Sequence, residues 1–302
     1  MKDLGDASFV LGIEILRDRS QGILGLSQKN YIEKILSRYG MKKCIPMDTP
    51  IAKGDKFSLK QCPKNDLERT AMHDKPYASA LGSLMYAQVY TRPDISFIVG
   101  VLDRYLSNRG MDHWIIVKRI MRYLKRTKDY MLTYRRSENL EIIGYSDSNF
   151  VGCQDSSSST SGCIFILAGG AIAWRSNKQT LVASSTMEAE YVACFEASKH
   201  GIWLRNFVTE LRIVDDIEKP LKIFCDNKSA VLYSNNNKSF AKSKHIDIKF
   251  LVVKEKIQEK HISIEHIRTE YMLADPLTNG LIPKVFHEHT AQMGVNICDA
   301  LI

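Results

Sequence analysis

Apolar residues open the chain in two short runs. Residues 8–16 (Ser-Phe-Val-Leu-Gly-Ile-Glu-Ile-Leu) and 22–27 (Gly-Ile-Leu-Gly-Leu-Ser) read as the strands of a hairpin, turned at Arg17-Asp18-Arg19-Ser20-Gln21. A helix over 28–39 follows, capped by Ser27, with Ile32, Ile35 and Leu36 on its apolar face and Gly40 as its stop. Residues 41–75 are rich in Pro, Lys, Asp and other polar side chains and are expected to form an extended connection. Helices come next at 77–91, 93–107 and 111–127, punctuated by Arg92-Pro93 and Asn108-Arg109-Gly110. The last sets Lys118, Arg119, Arg122, Lys125, Arg126 and Lys128 among Trp114, Ile115, Ile116, Ile120, Met121 and Leu124. Such a basic amphipathic helix suits nucleic acid or a membrane surface, and equally suits plain packing with a solvated side.

Past the polar stretch 135–139 the pattern changes. Strands are predicted near 140–147, 161–168, 171–176, 221–226 and 262–267, and helices near 186–211, 227–235 and 244–260, with one or two more beyond Glu270. Three β-rich runs followed by alternating helices and strands indicate an α/β domain on a mixed five-stranded sheet. The division expected is residues 1–140 and residues 141–302, the latter with a C-terminal tail. No internal repeat is visible, and the serines at 156–159 read as a loop.

The second half carries the candidate chemistry. Asp147 closes Tyr145-Ser146-Asp147, and Asp226 closes Ile223-Phe224-Cys225-Asp226; both end apolar, β-rich runs at the carboxyl edge where open α/β sheets put ligands. The plain alternative for each is a turn, or for Asp226 a helix N-cap. Glu190 heads a stripe of Ala193, Ala197, Gly201 and Leu204 on one face of its helix, small enough to press on a sheet. Glu188, two residues away, points elsewhere and reads as a solvent-facing first-turn acid favoured by the helix dipole. Asp275 precedes Pro276, which biases it to cap a helix starting there. A fold gathers four carboxylates chiefly to hold divalent cations, and two such ions roughly 3.5–4 Å apart clamp the attacking and leaving oxygens of a phosphodiester. These residues point to a metal-dependent nuclease.

Composition adds bounds. At 302 residues and 44% hydrophobic, the chain can bury a substantial core, and its length suggests about two domains. No apolar run approaches the roughly 18–20 residues that span a bilayer, so no membrane partner is expected. Met1-Lys2-Asp3-Leu4-Gly5-Asp6 has acids where a signal peptide needs a basic end and an apolar stretch. The seven cysteines form no C-x-x-C pair and read as buried free thiols of a reducing compartment. Net charge is +8, unevenly spread: residues 1–140 carry 25 Lys and Arg against 15 Asp and Glu, and the remainder 17 against 19. A basic half of this kind can grip a polyanion, or simply be well solvated. His287-x-His289 reads as two exposed histidines on a tail helix, and no nucleotide-binding loop or zinc spacing occurs.

The chain resembles the C-terminal part of the Pol polyprotein of copia-type LTR retrotransposons, the end of reverse transcriptase plus the RNase H domain. The matching phrases include Leu26-Ser27-Gln28, Tyr77-Ala78-Ser79-Ala80-Leu81-Gly82-Ser83-Leu84-Met85-Tyr86-Ala87, Thr91-Arg92-Pro93-Asp94, Ser161-Gly162, Lys178-Gln179-Thr180, Glu188-Ala189-Glu190-Tyr191, Cys225-Asp226-Asn227 and Lys244-His245-Ile246-Asp247-Ile248. The resemblance implies an RNase H-like fold in which Asp147, Glu190, Asp226 and Asp275 bind two Mg²⁺ ions, replaceable by Mn²⁺, and hydrolysis of the RNA strand of an RNA–DNA hybrid. It also implies recognition through 2′-hydroxyls and groove shape, an upstream polymerase segment of Pol as partner, and an intracellular setting, in a cytoplasmic particle or the nucleus. His245 and Asp247 belong to the family pattern and are expected to cap and pack. Two departures are visible: residues 268–274 lack the histidine that related cellular enzymes place before the last acid, and no Tyr-x-Asp-Asp polymerase hairpin precedes residue 140. The Asp pair in Ile213-Val214-Asp215-Asp216 reads as a surface connection, and no polymerisation is expected. The competing readings are a non-catalytic nucleic-acid-binding relic and an integrase-type nuclease; the latter takes its late acid after the second aspartate, whereas Glu190 lies before it.

Overall fold

The first apolar run folds back on itself at Leu11-Gly12. In the computed structural model, which describes residues 5–138, 140–211, 219–236 and 244–298 (side chains of 244–248 and 250 excepted), it forms β1 (Phe9–Val10) and β2 (Ile13–Asp18). Both turn residues have positive φ, 51° and 73°. That is the two-residue turn whose twist matches antiparallel strands, and glycine takes the second position without cost. Asp18 shapes the next turn by accepting from Ser20 N at 2.9 Å and Gln21 N at 3.0 Å. It leads into β3 (Ile23–Ser27), which pairs with β4 (Met131–Arg135).

Four helices bury their apolar faces in the core of this first unit: α1 (Lys29–Arg38), α3 (Tyr77–Tyr90), α4 (Ser96–Asp103) and α5 (Met111–Arg126). A further helix, α2 (Asp66–His73), lies within the segment expected to be extended. Asn65 starts it by accepting from Glu68 N at 2.9 Å, but it buries only Met72, so no apolar stripe advertises it. The α5 cations do structural duty. Arg119 pairs with Asp55 (3.2 Å), Arg126 with Asp48 (2.9 Å), Arg122 Nε donates to Ile45 O (2.6 Å) and Lys125 Nζ to Cys44 O (2.6 Å), tying down residues 44–55.

Thr91-Arg92-Pro93-Asp94 is a buried polar knot rather than mere punctuation. Arg92 is fully buried and forks onto Asp94 through Nε (3.0 Å) and Nη2 (2.7 Å), while also donating to Thr127 O (3.2 Å) and Oγ1 (2.7 Å). Tyr123 Oη donates to the same carboxylate.

The chain leaves this unit at Arg136 and returns at Gly280: Met1–Arg136 groups with Gly280–Ile302, and Ser137–Asn279 forms the second unit. The C-terminal residues thus depart from the division expected at 140/141. The strand Val295–Asn296 pairs with β4, and Phe286 of the helix Pro283–Gln292 packs edge-on against Tyr123 at 5.7 Å. His289 on that helix is buried, not exposed.

The second unit holds β5 (Ile143–Asn149), β6 (Thr160–Leu167), β7 (Gly170–Lys178), α6 (Thr186–Glu210), β8 (Leu221–Cys225), α7 (Lys228–Asn235), α8 (Lys244–Gln258) and β9 (Ile262–His266). Its sheet runs β7-β6-β5-β8-β9, antiparallel across the first three strands and parallel across β5, β8 and β9. This is the RNase H-like mixed five-stranded sheet. Helix α6 lies hard on it because a Cβ at Gly201 would come within 2.5 Å of Leu221 Cδ2 and 2.8 Å of Phe165 Cε1. Gly144 leaves room for the same Phe165 ring. The side chains of His245 and Asp247, and residues 213–216, lie outside the described residues. All seven cysteines are free, six of them buried. Among the described residues, no helix is long and apolar enough to cross a membrane.

Asp94→Ala should strand the buried Arg92 charge. A loss of about 3–5 kcal/mol in unfolding free energy is expected from urea denaturation; a loss below about 1 kcal/mol would show that the knot is dispensable.

Candidate active site

Strand register decides which acids meet. Ile143 pairs with Lys222 and Tyr145 with Phe224 in parallel, and the Tyr145 and Phe224 rings lie 5.5 Å apart on one face. The same offset carried two residues on sets Asp147 beside Asp226. Asp226 is not the helix cap: Asn227 takes that role, its Oδ1 accepting from Ala230 N at 3.0 Å. The Asp226 carboxylate is left to accept from Thr269 Oγ1 at 2.7 Å.

Glu190 enters from α6. Ser185 caps that helix by accepting from Glu188 N (3.2 Å), and Glu188 answers by accepting from Ser184 N (2.8 Å) and Oγ (2.7 Å). Glu188 is therefore a half-buried capping acid. Glu190, with Ala193, Ala197, Gly201 and Leu204, is buried against the sheet. Its Oε1 accepts from Ser148 N at 3.2 Å. Gln179 braces the same corner, its Nε2 donating to Ala189 O (2.9 Å), Ser161 Oγ (2.9 Å) and Ser148 Oγ (3.3 Å).

Asp275 opens a single 3₁₀ turn, Asp275–Leu277, instead of the longer helix expected at Pro276. Asn279 Nδ2 donates to its Oδ1 at 3.0 Å. That turn approaches the sheet only because residue 162 is glycine. A Cβ there would fall 2.7 Å from Thr278 Cγ2, 2.9 Å from Leu277 Cβ and 3.1 Å from Ala274 O. Gly162 is the ladder partner of Asp147, and Thr278 Oγ1 donates to Asp147 Oδ2. Thr278, Thr269 and Gln179 were invisible as site residues in the sequence, since a hydroxyl or amide has no pattern of its own; only the phrases Ser161-Gly162 and Lys178-Gln179-Thr180 marked the neighbourhood.

Electrostatic influence runs among these acids. Burial, then the negative charges of Asp275 and Asp226, push the Asp147 carboxyl up to about 7. Burial, then Asp147, Cys225 and Asp226, push Glu190 up to about 11. No Lys or Arg is among the strongest influences on either. One donor atom each from Glu190, Cys225 and Asp226 lies within 4.8 Å of the others, a spacing fit for a metal ion.

No family model matches this chain. Among curated proteins it is 42% identical over 284 residues to the retrovirus-related Pol polyprotein from transposon TNT 1-94 of Nicotiana tabacum, covering 94% of this chain and 21% of that protein. It is 33% identical over 296 residues to the corresponding polyprotein from transposon RE2 of Arabidopsis thaliana, covering 98% and 20%. The chain thus spans about a fifth of the length of these relatives. A similar solved structure is LC11-RNase H1 in complex with an RNA/DNA hybrid, at 18% identity over 48% of this chain and 98% of that one, TM-score 0.34. Matched over 94–98% of its own length by such polyproteins, the chain belongs to the retrovirus-related Pol polyproteins of copia-type transposons.

Proposed function

We propose that the Ser137–Asn279 unit is a metal-dependent endoribonuclease that hydrolyses the RNA strand of RNA–DNA hybrids. What supports this reading is the placement of Glu190 and Asp226 within reach of one ion, with Asp147 beside Asp226 in the strand register and the Asp275 turn packed against the Asp147 strand pair. The donor set fits a hard divalent cation of the Mg²⁺ or Mn²⁺ kind: all four side chains are carboxylates, and burial, then the negative charge of neighbouring acids, makes two of them hold their protons abnormally tightly. When bound, two such ions supply charge stabilisation to the attacking and leaving oxygens of the phosphodiester.

The chain's own groups do the positioning. Thr278 Oγ1 and Thr269 Oγ1 each donate to one carboxylate oxygen, of Asp147 and Asp226, and so fix how those side chains sit. Ser148 N orients Glu190, and Asn279 orients Asp275. Basic residues of 1–140 supply phosphate contacts to the hybrid.

Three measurements test the reading. The full chain should cleave RNA in labelled hybrids with Mg²⁺ and lose this activity in EDTA. Asp226→Asn should lower it by more than about a hundredfold, since even supporting groups around a metal are worth about 10–100-fold. Cleavage that persists in EDTA or in Asp226→Asn would sink the assignment. Glu190→Gln should abolish cleavage, while Glu188→Gln alters only a helix cap worth about 0.5–2 kcal/mol and changes the rate a few-fold at most; the reverse ranking would refute the roles given to the two acids. Gly162→Ala should push the 274–278 turn off the sheet and slow cleavage at saturating hybrid by about tenfold or more, because misplacement by about 1 Å can cost ~10² in rate. An unchanged rate in that variant would remove Asp275 from the working centre.

A further inference from the structure

Cys225 sits inside the carboxylate centre, and the proposed hydrolysis makes no use of it. It is the last residue of β8, fully buried, its thiol hydrogen-bonded with that of Cys194 on α6 and its Sγ 3.8 Å from Glu190 Oε2 and 3.9 Å from Asn227 O. Its sulfur and one oxygen each of Glu190 and Asp226 form the mutually close set described above. An independent observation comes from the neighbouring strand. Ser146 follows Tyr145 in the β5–β8 register, which sets it beside Cys225 on the face that packs against α6. Its hydroxyl is fully buried and has no hydrogen-bond partner, a rare condition for a polar atom that no water reaches.

We propose that Glu190, Cys225 and Asp226 form a second metal-binding set, overlapping the carboxylate centre, that takes a thiophilic divalent cation of the zinc and cadmium class, with the Ser146 hydroxyl as its polar neighbour. A sulfur donor beside two carboxylates matches the ligands such ions choose, whereas Mg²⁺ prefers oxygen alone. On binding, the metal–sulfur bond replaces the S–H bond and the thiol proton leaves to solvent; no electron is transferred. Two of the three ligands are shared with the hard-cation site, so a thiophilic ion excludes Mg²⁺ and blocks the centre. That competition rests on the proposed hybrid cleavage; the binding itself does not.

The test is a Cd²⁺ titration of the full chain, read by the ultraviolet thiolate-to-cadmium band and by calorimetry. One tight Cd²⁺ per chain is expected, with a band that Cys225→Ser removes and Cys163→Ser, at a buried thiol on β6, retains. Glu190→Gln and Asp226→Asn keep the sulfur and should keep the band while weakening Cd²⁺ about tenfold or more. Excess Mg²⁺ should weaken the wild-type Cd²⁺ affinity. No tight Cd²⁺ in the wild type, or an undiminished band in folded Cys225→Ser, overturns the proposal. Should Cys225→Ser fail to fold, unchanged Cd²⁺ affinity in both carboxylate variants overturns it equally. Hybrid cleavage in Mg²⁺ without a Cd²⁺ band would leave the nuclease reading standing and this one fallen, and the opposite result would separate them the other way.

Discussion

The parallel pairing of β5 with β8 is the constraint on which the centre depends. Parallel neighbours need a crossover, and here the chain makes it through β6, β7 and α6. Two antiparallel steps return β7 to the direction of β5, so α6 starts at the edge where β5 ends. Its first turns therefore deliver Glu190 to Asp147. Strand β8 then runs back to the same edge and ends at Cys225, with Asp226 next, and β9, parallel to β8, ends there too. The turn beyond β9 brings Asp275. Four acids far apart in sequence thus share one edge because one register and one direction were set.

Close packing converts that topology into contact. Gly201 and Gly144 let α6 and the Phe165 ring settle on the sheet, and Gly162 admits the 274–278 turn. The result gathers negative charge where burial already disfavours it. Asp147 and Glu190 bind their protons more tightly than in an unfolded chain, so ionising them as pH rises works against folding. The N–H of Ser148 and the hydroxyl of Thr278 soften this but bring no positive charge. Such an arrangement is held against its own electrostatics, as functional centres commonly are.

The acids were legible in the sequence for a physical reason: each departs from what its local element wants. An acid ending an apolar strand, or heading a stripe of small residues, is a local inconsistency that only tertiary structure resolves. The five strands of the second unit and the buried face of α6 followed from periodicity for the same reason that they fold, one apolar face against one core. The misses have equally local causes. Leu11-Gly12 hid a hairpin turn because leucine rarely takes positive φ. Helix α2 has a cap but almost no apolar face. Strand β4 buries its first three residues in a row and so shows no alternation, and Val295–Asn296 is only two residues long. That residues 280–302 group with the first unit depends on pairing and packing partners more than 150 residues away, such as Leu132 for Val295; nothing within the segment announces it.

The chain also supplies its own contrast between two kinds of buried acid. Asp94 is as buried as any acid in the centre, yet Arg92 forks onto both its oxygens, Tyr123 donates to one of them, and Thr127 takes up the remaining guanidinium donors. Every charge there is matched by a neighbour, so removing a partner should cost stability and nothing else. Asp147 and Glu190 meet neutral donors and the repelling negative charge of neighbouring acids. A protein that can build a complete ion pair in one core and leaves another cluster uncompensated is not short of means. The difference fits the proposed function: the first site holds helices together from within, and the second leaves its carboxylates short of the positive charge that a cation would supply.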